Sequence, residues 1–93
     1  MKLSVIVPVY NMAEGDKLVW CLDSLVNQTI TDYEIIAVDD CSTDNSLDIL
    51  REYEKRYPDK FKVMASRVNK RQGGAKNLGL TRAAGEWIGF IDS

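Results

Sequence analysis

The sequence contains no histidine. That absence argues against Ser-His-Asp and Cys-His nucleophilic arrangements, both of which need an imidazole base. Cysteine is scarce as well. Cys21 and Cys41 stand in no CxxC spacing, which argues against a zinc site, and two are too few for a disulfide-dense scaffold. Long apolar runs are missing: nowhere do the roughly 18 consecutive apolar residues of a membrane span occur. The stretch Met1 to Pro8 is too short, and lacks the small-residue cleavage site, to read as a signal peptide. Nor is there a basic excess. Twelve Lys and Arg against fourteen Asp and Glu leave a net charge of −2, so no nucleic-acid partner is expected.

What is present reads as one globular unit. Ninety-three residues, 45% hydrophobic and 28% charged, with six Gly and two Pro, allow one core and contain no repeat or low-complexity segment. The charge is unevenly spread. Residues 1–50 carry two basic and nine acidic side chains, net −7, and residues 51–93 carry ten basic and five acidic, net +5.

Leu3 to Val9 is a short, β-branched apolar run stopped by Tyr10-Asn11, the pattern of a strand buried on both faces. From Asp16 to Gln28, Leu18, Cys21, Leu22, Leu25 and Val26 recur at helical spacing, with Asp16 available as a cap. Tyr33 to Val38 is a second strand ending in Asp39-Asp40. A second helix, capped by Thr43 or Asp44, runs to about Tyr57, where Pro58 stops it. Phe61 to Ala65 is a third strand, Gly73 to Ala84 a third helix ended by Gly85, and Glu86 to Ile91 a fourth strand. Trp20, Leu22, Leu25, Tyr53 and Tyr57 are assigned to the core or to contacts with chain beyond Ser93, and Trp87 to the core; Cys21 is assigned to packing. The order βαβαβαβ implies an α/β fold: a Rossmann-like parallel sheet with flanking helices.

Ligands of such sheets bind outside the carboxyl ends of the strands. Four groups fall there: Pro8 to Asn11, Asp39 to Ser42, Arg67 to Lys76, and Asp92-Ser93. Asp39-Asp40 has two readings, an Asx-type turn that caps a helix or a carboxylate that accepts N–H or O–H groups of a ligand. With Thr43 or Asp44 covering the helix start, Asp39 inclines to the second. Arg67 to Arg82 holds five cations and no acid. Arg67 and Arg82 read as a solvated face. Lys76, one turn into a helix opening on Gly73-Gly74, suits a diphosphate beside free backbone N–H groups. Asp92 is a hard oxygen ligand of the type Mg²⁺ or Mn²⁺ takes, but alone it is equally a turn residue. Neither a Walker A loop nor a GxGxxG fingerprint is present.

Together, four segments in order are similar to one family. Ser4-Val5-Ile6-Val7-Pro8-Val9-Tyr10-Asn11 resembles the opening strand and PxYN turn of family 2 glycosyltransferases, and Val38-Asp39-Asp40-Cys41-Ser42-Thr43-Asp44 resembles their VDDGSTD loop. Gly74 to Leu80, then Ala84 to Ser93, resemble their GARNxGL and AxGEYIxFLDSDD stretches. The resemblance covers essentially the whole chain but only the first, nucleotide-binding half of an A-type glycosyltransferase fold. It implies that residues 1–93 are the nucleotide-sugar-binding part of a catalytic domain truncated at the DxD motif, and that the parent protein is an inverting glycosyltransferase.

By the same resemblance, the donor is a nucleotide-diphosphate sugar, UDP-linked, and the acceptor a saccharide or lipid-linked molecule. Pro8, Val9 and Tyr10 would line the uracil and ribose pocket, with Asp39 accepting the uracil N3–H and Asp40 beside it. Asn69 or Lys70 would complete the base pocket. Lys76 would face the pyrophosphate, and Asp92 would be the first DxD carboxylate, near the ribose and Mn²⁺ or Mg²⁺. No catalytic residue is expected in the chain; the base would follow Ser93. Cys41 replaces the family's Gly, which a side chain tolerates at negative φ. The alternatives are a non-catalytic nucleotide-binding module and a receiver domain, the latter disfavoured because Tyr10-Asn11 stands where its acidic pair belongs. Exposed apolar surface and self-association of the fragment are expected. The expected location is cytoplasmic, or the inner membrane face for the full-length protein.

Overall fold

A computed structural model describes residues 3–28, 32–66 and 71–91, the side chains of residues 71–73 excepted. Four strands form one sheet of order β3-β2-β1-β4, with β1 Leu3–Val9, β2 Tyr33–Asp40, β3 Phe61–Ser66 and β4 Trp87–Phe90. Every neighbouring pair is parallel. The helices are α1 Lys17–Val26, α2 Ser46–Arg56 and α3 Arg71–Leu80. The expected βαβαβαβ order and parallel sheet are therefore observed.

Side-chain alternation builds a core on each face of the sheet. Val5, Val7, Val9, Ile35, Ala37, Phe61 and Val63 pack with Leu18, Leu22 and Leu25 of α1 and Leu50 and Tyr53 of α2. Ile6, Ile36 and Val38 face the other way, onto Ala75 and Leu78 of α3. The α3 layer lies close to the sheet: a Cβ on Gly79 would stand 2.6 Å from Ile6 Cγ2. On the α1–α2 side Tyr53 Oη donates to Asp23, and burial together with that carboxylate pushes the Tyr53 pKa up to about 12.

Several local expectations are corrected. Asp16 stands at the α1 N-cap position but makes no side-chain capping bond. β2 runs through Asp39 and Asp40, which are buried ladder residues rather than loop. Helix α3 starts at Arg71, not Gly73, and ends at Leu80, well before Gly85. The cause is a tightening into i→i−3 bonds, Thr81 N–H to Leu78 O, Arg82 N–H to Gly79 O and Ala83 N–H to Leu80 O. Trp20 and Trp87 are 68% and 67% exposed, so neither belongs to a core within the described residues. Trp20 projects from the outer side of α1, and β4 is an edge strand that also exposes Ile88 and Phe90.

Glu34, a charged residue preceding the apolar run Ile35 to Val38 in β2, is fully buried. Its Oε2 accepts from Ser4 Oγ at 2.6 Å and from the Ala84 N–H at 2.7 Å, and its Oε1 accepts from Lys62 Nζ at 2.8 Å. Ser4 Oγ in turn accepts the Gly85 N–H at 2.8 Å. Only glycine fits there, because a Cβ on Gly85 would sit 2.6 Å from Ser4 N. This polar lock fastens the chain entering β4 to the middle of the sheet. Burial alone would raise the Glu34 pKa, but hydrogen bonds from Lys62, Ser4 and Ala84 and the Lys62 charge together hold it below the ordinary carboxylate value.

Because the folded pKa lies below the unfolded one, Glu34 stabilises fully above the ordinary Glu range and loses that contribution as pH falls through its lowered value. Glu34→Gln is expected to cost about 3 kcal/mol at neutral pH in urea unfolding, with the deficit shrinking in acid. A deficit equal at both pH values would contradict the lock.

Candidate functional site

The in-register ladder of β1 on β2 sets Val9 beside Asp39, so both strands release their chains at the same level. The loops that follow are sewn together. The Asn11 N–H donates to Ser42 Oγ at 3.0 Å, and Asn11 Oδ1 accepts the Thr43 N–H at 2.8 Å. The Met12 N–H donates to Ser46 Oγ at 2.8 Å, and the Ala13 N–H to Asp44 Oδ2 at 3.1 Å. Asp44 Oδ1 takes the Ser46 N–H at 2.9 Å, covering the start of α2 from just outside the Asn45 N-cap. Hydrogen bonding from the Ser46 side chain foremost, with the Ser46 and Ala13 N–H groups, holds the Asp44 pKa below its ordinary value.

Asp39 lies at the centre of this rim and is 2% exposed. Its Oδ2 accepts the Ser42 N–H at 3.2 Å, closing the turn. Its Oδ1 is buried and has no hydrogen-bond partner among the described residues. A buried carboxylate oxygen without a donor is costly and calls for a partner. Of the two sequence readings of the pair, the turn is observed at Asp39 Oδ2, without capping a helix. Pro8 and Val9 are the last two residues of β1, Asp40 ends β2, and Tyr10, 47% exposed, stands on the rim.

Lys76 lies in the second turn of α3, beyond the free N–H groups of the helix start, and its Nζ is 5.4 Å from the Phe90 ring centroid. The reason given for it from the sequence, adjacency to those N–H groups, therefore does not hold. The helix instead carries it to the β4 side, beside Phe90. Asn69, Lys70 and Asp92 lie outside the described residues. Among the described residues no three His, Cys, Asp or Glu side chains come together as a metal set. The metal expectation rests on Asp92, outside the described residues.

Two left-handed residues shape the rim: Asn11, two residues past the end of β1, has φ 49, and Cys41, the first residue past β2, has φ 62. Asn tolerates this conformation; Cys41 does so under strain, and the negative φ expected of it is not found. The signal for Asn11 was available, since Asn favours left-handed turns and its amide mimics a turn carbonyl.

Residues 4–93 match the model of glycosyl transferase family 2. The chain belongs to that family. It is 51% identical over 96 residues to a poly(ribitol-phosphate) beta-glucosyltransferase of Bacillus spizizenii, covering 100% of this chain and 15% of that protein. The structure of Staphylococcus aureus TarS 1-349 in complex with UDP superposes with a TM-score of 0.88 at 37% identity, over 100% of this chain and 27% of that one. The mannosyltransferase PcManGT of Pyrobaculum calidifontis, in complex with GDP-Man and Mn²⁺, gives a TM-score of 0.76 at 29% identity, over 98% of this chain and 27% of its own. The first curated relatives are much longer, the chain spanning 15% to 28% of them. The expected A-type glycosyltransferase architecture is thereby shown for this family 2 chain.

The left-handed Cys41 supplies a stability test. Cys41→Gly is expected to stabilise by about 1 kcal/mol in urea unfolding, because glycine enters that conformation without the Cβ clash. A destabilisation of similar size would mean that the thiol's contacts outweigh the strain.

Proposed function

We propose that this chain forms the donor-nucleotide pocket of a glycosyltransferase, with a UDP-linked sugar as donor. The observation that carries the reading is Asp39 Oδ1, a buried acceptor lacking a donor, at the carboxyl end of a central strand. A uracil N3–H supplies what that oxygen lacks. Pro8, Val9 and Tyr10 would form the wall against base and ribose, Asp40 would stand beside the base, and Asn69 or Lys70 would complete the pocket. Lys76 would face the diphosphate. Support for uridine comes from the TarS structures, which carry UDP or UDP-GlcNAc.

A divalent cation, Mn²⁺ or Mg²⁺, would accompany the diphosphate near Asp92, supported by the Mn²⁺ of the PcManGT complex. Such an ion neutralises charge developing on the departing nucleoside diphosphate. The parent protein would transfer the sugar with inversion to a saccharide or lipid-linked acceptor, using a base beyond residues 1–93, and would act in the cytoplasm or at the inner membrane face. For the chain by itself, the exposed row Trp87, Ile88, Phe90 and Ile91 favours self-association.

Calorimetric titration with UDP tests the pocket. Asp39→Ala is expected to lower UDP affinity by about 10- to 100-fold, the worth of a hydrogen bond to a charged acceptor, and the wild-type chain is expected to prefer UDP over CDP, whose base has no N3–H. Equal affinities for the two nucleotides would remove Asp39 from the base pocket. In sedimentation velocity the chain should gain mass with concentration; a strictly monomeric profile would reject the association.

A further inference from the structure

A carboxylate discriminates between bases only while it keeps one orientation, and Asp39 is held by a bond from the loop beyond it. The Ser42 N–H donates to Asp39 Oδ2 at 3.2 Å, while Oδ1 has no donor among the described residues. Ser42 is fixed in its turn from the β1 side. Its Oγ accepts the Asn11 N–H at 3.0 Å. The Asn11 side chain reaches the same loop, where its Oδ1 accepts the Thr43 N–H at 2.8 Å and, at 3.4 Å each, Thr43 Oγ1 and the Asp44 N–H. Asn11 does this from a left-handed backbone, φ 49, in which its N–H and its side-chain carbonyl both serve residues 42–44. One exposed residue of the first loop thus holds the segment that holds Asp39.

We propose that Asn11 is a positioning residue for base selection: its Oδ1 pins Thr43, which keeps Ser42 on Asp39 Oδ2 and so keeps Asp39 Oδ1 a fixed acceptor. The inference rests on the donor-pocket reading. A fixed acceptor rewards the N3–H of uracil and opposes N3 of cytosine, which brings a lone pair to the same place. A carboxylate free to turn loses the reward and relaxes the opposition. Asn11 therefore acts on the difference between the two bases, and not on the diphosphate they share.

Calorimetric titration of UDP and CDP into the wild-type chain and three variants tests this. Asn11→Gly removes Oδ1 and enters the left-handed backbone freely; Asn11→Asp keeps an acceptor oxygen and tolerates that backbone. Ser42→Ala cuts the other half of the link. The added charge of Asn11→Asp acts on both diphosphates alike, so the ratio of the two affinities is the readout. Asn11→Gly and Ser42→Ala are each expected to lower the preference for UDP over CDP by about fivefold or more, and Asn11→Asp to keep it within about twofold of wild type. A purely structural role would weaken both nucleotides equally. Equal weakening in Asn11→Gly, a full preference in either Asn11→Gly or Ser42→Ala, a preference lost as far in Asn11→Asp as in Asn11→Gly, or loss of the folded near-UV signal in Asn11→Gly would each overturn the proposal. A wild-type chain that does not bind UDP, or binds UDP and CDP equally, would instead overturn the donor-pocket reading, and this proposal with it.

Discussion

The parallel ladder between β1 and β2 is the constraint on which the remainder of the molecule depends. It runs without a break from Leu3 opposite Tyr33 to Val9 opposite Asp39, and both strands are buried on both faces. A one-residue slip would turn Val5, Val7 and Ile35 away from the α1–α2 core and expose them to the α3 layer. The hydrophobic pattern on the two faces thus fixes the register, and the register brings the two strand ends level. Asn11 then bonds across to Ser42 and Thr43, and the rim around Asp39 is held before any ligand arrives. Preorganisation of this kind leaves little ordering cost to binding.

The edge strand is fixed by different means. β4 has four residues, most of them exposed, so apolar packing has little hold on it. The Glu34 lock grips the chain before the strand through Ala84 and Gly85, and the Ile91 N–H bonds to Ile6 O at its end. A buried carboxylate held by three donors replaces the core that an edge strand lacks. Glu34 and Asp39 therefore make a contrast within one strand: the first has its oxygens satisfied by protein, and the second keeps one oxygen open. The first acts on architecture, and the second is the residue on which the proposed donor pocket rests.

Much of this was legible in the residues. The continuous apolar runs of β1 and β2 announced a parallel sheet, because strands covered on both faces have no polar side. The polar groups Tyr10-Asn11 and Asp39-Asp40, standing where those runs stop, marked the carboxyl-end rim. Helix α3 was harder, since Gly73, Gly74 and Gly79 weaken its amphipathic signal and its last turn tightens through backbone bonds that leave little trace in side chains. The contacts of Glu34 and Gly85 escaped notice because their partners are 50 and 81 residues distant, a separation that local pattern does not carry. Trp20 and Trp87 misled for the opposite reason: large aromatic residues are read as core, and nothing local reveals that a helix side or a sheet edge is uncovered.

The most direct measurement is a ¹⁵N-amide titration of the chain with UDP. A second concavity, of about 430 Å³, lies at the amino ends of β2 and β3 between Tyr33, Arg56, Tyr57 and Lys60, and offers cations and aromatic rings to a nucleotide. Its cations are already engaged, Lys60 with Val26 O and Arg56 over the Tyr53 ring. The account predicts saturable shifts at Tyr10 to Ala13 and Asp39 to Thr43, with the amino-end cleft silent. Shifts centred on Arg56, Tyr57 and Lys60, with the carboxyl-end loops unmoved, would contradict it.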